Sequence, residues 1–247
     1  MWELYDSLLE PIPDDVKVEE FIAGIHWTSV TAGGYTGAAA TNPLQTIHGI
    51  EKNITDMSWK EAAKLIKSWN FVEASIGAAA VNAFYNQMDR IRKLDEEGTI
   101  RRLSEEDTFL AHKDDMIGKK VATIGHFCFG EEYLKKAGSC VILERQPMDG
   151  DYPDSACEYI LQDMDYVFIT GFTLVNKTLP RLIELSRNAK VIFVGPSAAL
   201  APRLLDFGIW EVAGTVITDK KLAEELVKKG EHKAVIRSGL PVRIARK

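Results

Sequence analysis

Several stretches of the chain end in residues able to do chemistry, and each follows a short apolar run. "KVATIG" leads into Gly125, His126 and Phe127, and "SCVILE" closes on Glu144. "YVFIT" leads into Thr170, Gly171, Asn176 and Thr178, and "KVIFVG" into Gly195, Pro196 and Ser197. A histidine at a strand end facing a cleft can act as a base, a proton donor or a metal ligand. Glycine directly after a strand lets the backbone turn sharply or approach a ligand. Thr, Asn and Ser in such positions can cap the next helix, whose first N–H groups favour anions. Glu144 lies nineteen residues after Gly125, the spacing at which dinucleotide and methyl-donor folds place a ribose-binding acid. The turn itself lacks the glycine fingerprint. His126 and Phe127 would crowd a pyrophosphate lying on it, so standard NAD(P) is not expected, while an adenosyl group or another flat ligand is left open. Cys128 could join His126 around a soft metal. Two ligands close in sequence do not make a zinc site, which takes three or four, and His26, His48, His112 and His232 show no ligand spacing.

These residues need a scaffold that brings strand ends to one edge. The runs named above, with "EVAGTVI", are short, continuous and β-branched, as strands covered on both faces are. Helices are expected near 130–137, 155–162, 177–187, 200–206 and 219–229, with Ser155 and Glu158 as a capping box. Strand alternating with helix predicts a parallel sheet wound on both sides. In such a sheet ligands bind outside the carboxyl ends of the strands.

The first half reads differently. A short amphipathic helix over residues 1–9 ends at Pro11 and Pro13. Val16, Val18 and Phe21 suggest one strand and Gly24 to Thr31 another, with Gly33, Gly34 and Gly37 punctuating a turn. Capping boxes at Ser58/Glu61 and Asn70/Glu73 open two helices. The second, "ASIGAAAVNAFYN", is built of small residues. Glycine inside a helix costs about 1 kcal/mol relative to alanine, so Gly77 signals a close approach, by a packed helix or by a ligand. A polar connector runs from Gln87 to Lys113, and the boundary falls near Ala111. The division is therefore 1–110, a small α+β domain, and 111–247, an α/β domain.

The chain has 247 residues, a net charge of −6 and no basic stripe, which argues against a nucleic-acid partner. No apolar run approaches the roughly 20 residues of a membrane span, and "MWELYDSLLEPIPDD" lacks the basic start of a signal peptide. The three cysteines, an odd number without CxxC spacing, read as reduced thiols in cytoplasm.

Taken together, "SIGAAAVNA", "IGHF", "ITGFTLVNKTL" and "VGPSAALAP" resemble the hallmark segments of the putative heavy-metal chelation family, over nearly the whole chain. The resemblance implies a small N-terminal domain like that of enolase, a Rossmann-like second domain, and a site in the cleft between them. It also implies a role in handling metals or making chelating molecules. By position it falls on Gly77 and Asn82, on Gly125, His126 and Phe127, on Thr170, Gly171, Asn176 and Thr178, and on Gly195, Pro196 and Ser197. Two positions depart from the pattern: Cys128 stands in place of a proline, and Phe172 in place of a small hydroxyl residue. Three readings stand side by side. One is an enzyme acting on a flat or anionic small molecule such as a pterin-like or siderophore-like compound, with Glu144 and Asn176 holding it and His126 moving a proton. Another is a binder of a metal ion or metal chelate without turnover. The third is a methyl-donor-dependent transferase. The expected partner is a small molecule or metal chelate, with no membrane partner, and a homodimer is left open.

Overall fold

The structure is a computed structural model that describes residues 2–42, 53–103, 106–127 and 130–247. Cys128 and His48 lie outside the described residues. Helix α1 (Glu3–Leu9) precedes three strands, β1 (Val18–Ala23), β2 (Trp27–Ala32) and β3 (Tyr35–Ala40), which form an antiparallel sheet in that order. Gly33 and Gly34 both take positive φ, +59° and +78°, and join β2 to β3 as a two-residue hairpin with Ala32 opposite Tyr35. Gly37 is not part of this turn. It lies within β3, where small residues let the strand press onto helix α3 (Phe71–Tyr85).

Helix α2 (Trp59–Lys64) opens with the expected capping box of Ser58 and Glu61. At α3, Asn70 accepts from Val72 N and Glu73 N, while the Glu73 carboxylate accepts from Ser68 Oγ. Every residue of α3 from Ala74 to Tyr85 is buried. A helix apolar all round must be covered on all sides, and its small side chains allow that. A Cβ added to Gly77 would stand 1.9 Å from the backbone nitrogen of Ile66. The close approach at Gly77 is therefore made by the segment after α2.

The connector forms α4 (Met88–Glu96), β4 (Arg101–Arg102) and α5 (Thr108–His112). Then follow β5 (Lys120–Ile124), α6 (Glu131–Leu134), β6 (Ser139–Glu144), β7 (Tyr152–Pro153), α7 (Cys157–Ile160), β8 (Tyr166–Thr170), α8 (Leu179–Leu185), β9 (Lys190–Val194), α9 (Pro202–Asp206), β10 (Glu211–Ile217), α10 (Lys220–Lys228), α11 (Ala234–Arg237) and β11 (Gly239–Ala245). The larger sheet has eight strands in the order β4-β11-β10-β9-β8-β5-β6-β7. Strands β5 to β10 are parallel, and β11 and β4 close one edge antiparallel. The parallel strands thus run 3-2-1-4-5-6, the doubly wound order whose switch point lies between β5 and β8.

Alternate residues face two cores. Ala122, Ile124, Val167, Ile169, Val191 and Phe193 join a cluster that also holds Leu4, Tyr5, Leu8, Ile66 and Ala80, so one core runs through both sheets' packing. Val121, Phe168, Ile192 and Val194 pack on the other face with Phe109 and Met116. The expected box at Ser155 does not form. The chain enters α7 through a 3-10 turn, Asp154–Ala156, and Glu158 pairs instead with Arg181. No helix among the described residues is long and apolar enough to cross a membrane.

Candidate functional site

At the switch point the ends of β5 and β8 touch. Gly125 has φ +104°, and a Cβ there would meet the Thr170 side chain at 3.3 Å. Beyond it, His126 N donates to Glu144 Oε2 at 3.2 Å, while Glu144 Oε1 accepts from Arg145 N at 2.7 Å and Gln146 N at 3.3 Å. The acid at ribose-binding spacing thus spends its oxygens on the strand-end backbone. The His126 ring lies with Nδ1 3.3 Å from Asp151 Oδ2, which also accepts from Met148 N at 3.0 Å. The Asp151 side chain is 3% exposed and that of His126 19%. An Nδ1–H donated to a buried carboxylate puts the ring's lone pair on Nε2, the arrangement that orients an imidazole as a general base. Sequence reasoning missed Asp151, which sits in an acid-rich turn with nothing local to mark it. Phe127 packs 5.3 Å from Phe109, which stacks on Phe168, so its ring belongs to the second core.

After β8, Thr170 Oγ1 accepts from Phe172 N at 3.4 Å and caps a 3-10 turn, Gly171–Leu174. A Cβ on Gly171 would fall 2.4 Å from Ala198 N, so the connections after β8 and β9 meet backbone to backbone. Asn176 Oδ1 accepts from Thr178 N at 3.1 Å and Thr178 Oγ1 at 2.6 Å. Between them Lys177 takes φ +66°, the sole non-glycine in that region among the described residues and a strained conformation of the kind that gathers at functional sites. Its Nζ donates to Ser68 O and to Val175 O and lies 5.1 Å from the Phe71 ring centre. Ser68 also lines a cavity of about 550 Å³ with Met57, Glu61, Lys64, Leu65 and Glu73.

Burial pulls the Lys177 ammonium down to about 8 from 10.5. The unfolded chain keeps that proton to higher pH, so stability rises as pH climbs from about 8 towards the ordinary lysine value. Wild type should gain denaturant midpoint relative to Lys177→Met between about pH 7 and about pH 10. Parallel midpoints for the two proteins would mean a solvated ammonium.

A seam joins this edge to the small sheet. Gly195 has φ +112° with open space where a Cβ would project. Ser197 Oγ accepts from Ala40 N at 2.9 Å, and Asn82 Nδ2 donates to Ala38 O at 2.8 Å and Ser197 O at 3.1 Å. Asn82 Oδ1 is buried and meets no donor. One turn along α3, Asn86 Nδ2 donates to Ala198 O and Thr215 O, and its Oδ1 accepts from Leu200 N at 2.8 Å. The structure therefore brings Asn82 to Ser197, with Gly195 and Pro196 just before it, and His126, Glu144 and Gly125 to Thr170. Gly77 stands apart from both groups. Asn86 was missed, although it repeats Asn82 at the i+4 position that shares its helix face.

Among the described residues no three of His, Cys, Asp and Glu come together as a metal-ligand set. Among the described donors near His126, Glu144 is taken up by backbone N–H groups.

Two family models, both described as putative heavy-metal chelation, match residues 5–85 and 109–245. An uncharacterized protein of Methanocaldococcus jannaschii is 31% identical over 230 residues, 86% of this chain and 83% of that one. A crystal structure of a protein of unknown function from Desulfitobacterium hafniense is similar over 100% of this chain and 99% of that chain, with 39% identity and a TM-score of 0.89. Another, from Pyrococcus horikoshii, shares the fold with a TM-score of 0.81 at 24% identity, over 98% of each chain.

Proposed function

The chain belongs to the putative heavy-metal chelation family, and on that premise we propose that it binds a small chelating molecule, free or metal-loaded, at the carboxyl edge of the parallel sheet beside the seam. The His126–Asp151 pair carries this reading. A chelating hydroxyl or amide group must lose its proton to ligate a metal. An imidazole held by a buried carboxylate is a suitable acceptor for that proton. Thr170 and the open side of Gly195 would border the ligand. The chemistry needs no metal bound to the protein itself. The metal arrives or leaves with the chelator.

The same geometry serves a binder without turnover, in which His126 only takes and returns the proton. A methyl-donor transferase receives less support, because Glu144 already accepts three backbone N–H groups at the position where a ribose would need it. The Phe127 ring packs into the second core and does not crowd the first turn, so the expectation of no standard NAD(P) site rests on the missing glycine fingerprint. The domain division near residue 111 forms part of this proposal and agrees with the two matched spans.

Calorimetric titration with catecholate and hydroxamate chelators, free and iron-loaded, tests the reading. One of these should bind wild type, and His126→Ala should abolish binding. The melting temperature should stay within about 3 °C, roughly 1 kcal/mol for a chain of this size, because water can replace the partners of a part-exposed ring. Unchanged affinity in His126→Ala, or no binding by any of the four probes to wild type, would sink the proposal.

A further inference from the structure

A second cleft, of about 780 Å³, opens at the far edge of the parallel sheet. Arg246 and Lys247 on its wall follow directly on Ala245, which pairs with Glu211 at the start of β10. It therefore lies at the amino ends of the strands, away from His126. Its size suits a small-molecule ligand.

The charges in this cleft are unevenly matched. Arg246 bonds Asp206 at 2.8 Å, and the Lys247 ammonium lies beside Gly98. Arg203 faces Glu10 at 3.6 Å, an ion pair too long for a hydrogen bond. Arg90 has no carboxylate partner among the described residues. Its Nε is buried without an acceptor, and its guanidinium stacks 4.1 Å from the Phe84 ring centre. Burial lowers its pKa, but a guanidinium does not give up its proton in a protein. A lysine so placed could become neutral, whereas Arg90 stays charged and calls for an anion. The ring contact offsets only part of its lost hydration. Arg203 lines the same cleft as Arg90 and Tyr85; burial pushes the Tyr85 phenol up to about 12, Arg90 and Arg203 pull against that rise, and Glu10 adds to it. Set against Glu10 and Asp206, the four cationic side chains of the lining leave two positive charges unmatched, those of Arg90 and Lys247.

We propose that this cleft is a binding site for a phosphoryl group, held between Arg90 and Arg203. A carboxylate would have to share its two oxygens between two guanidinium forks, whereas a tetrahedral phosphate offers each fork its own pair. Arg203 would turn from Glu10 to the ligand, which its long ion pair permits. The site is independent of the chelator reading and would survive its failure.

The probes are inorganic phosphate, pyrophosphate and acetate, titrated at matched ionic strength into the full chain and followed by calorimetry. Phosphate or pyrophosphate should bind saturably and acetate should not. Arg90→Met should weaken binding at least about tenfold, as loss of a charge-assisted pair does. Arg203→Ala, at an exposed position where folding is not at stake, should weaken it as well. His126→Ala should leave it unchanged. Three results would each overturn the proposal: no saturable binding of either phosphate, acetate binding as well as phosphate, or full affinity in Arg203→Ala.

Discussion

Gly37→Ala should destabilise the protein by more than about 3 kcal/mol, at the upper end of what overpacking costs. The new methyl group would lie 2.0 Å from Ala83 N, 2.4 Å from Ala79 O and 2.5 Å from Asn82 C. All three atoms are backbone, so no side chain can rotate aside. Strand β3 would have to lift from α3, and with it the seam contacts of Ala38 and Ala40. In a chain of this length the melting temperature should fall by about 6–12 °C. Gly34→Ala is the control. Its φ is +78° with nothing within 4 Å of the added carbon, so it carries only the left-handed strain of about 1–2 kcal/mol. Equal melting temperatures for the two variants would show that β3 and α3 pack less closely than described.

The second large effect lies at the amino end of β10. Glu211, 1% exposed, accepts from Arg243 Nε at 2.7 Å, Arg243 Nη2 at 3.0 Å and Thr108 Oγ1 at 3.0 Å, and its Oε2 lies 2.9 Å from His112 Nε2. Burial pushes its carboxyl group up, but the hydrogen bonds from His112 and Arg243 and their charges outweigh that and bring it down to about 2. Glu211→Gln should cost about 3–5 kcal/mol, because it removes the buried carboxylate that two guanidinium nitrogens of Arg243 bond. The double variant Glu211→Gln/Arg243→Met should recover part of this, since replacing both partners costs less than breaking the pair. The pH dependence has a definite sign. As pH falls below about 4.5 the unfolded chain takes up the proton first, so wild type loses this stabilisation on the way to pH about 2. The gap in urea midpoint between wild type and Glu211→Gln should narrow across that window. A gap that stays constant would mean that Glu211 titrates normally.

The runs of Val, Ile and Phe were enough to locate five strands of the larger sheet, because strands buried on both faces carry a continuous apolar signal. Strand β3 was hidden. Its "YTGAAA" is chosen for closeness to α3 and not for β-propensity, so packing overrode the local signal. Strand β11 was hidden by Pro241, which lies beyond the two residues that β4 covers and so sits where the outer edge is unpaired. In the candidate site, strand-end glycines and His126 could be read because a strand and its turn are local. The partners could not. Asp151 reaches His126 from twenty-five residues away, and Ser68 receives Lys177 across 109. Glu144 was placed rightly at its strand end, but spacing alone does not tell whether a carboxylate faces a ligand or the backbone. Asn82 was reached through the family resemblance alone, and Asn86, at the i+4 position that shares its helix face, lay outside that pattern.

The two asparagines bear on how a ligand could enter. Asn82 and Asn86 bind backbone groups of Ser197, Ala198, Leu200 and Thr215, Ser197 binds Ala40, and the Tyr5 hydroxyl reaches Leu174 O. Opening this join would strip buried carbonyls and amides of their partners while splitting a shared apolar core. Among the described residues the seam is bonded and packed, so on the proposed reading a ligand is expected to reach the carboxyl edge past the strand-end loops, by small, local displacements in place of the swing of one lobe away from the other.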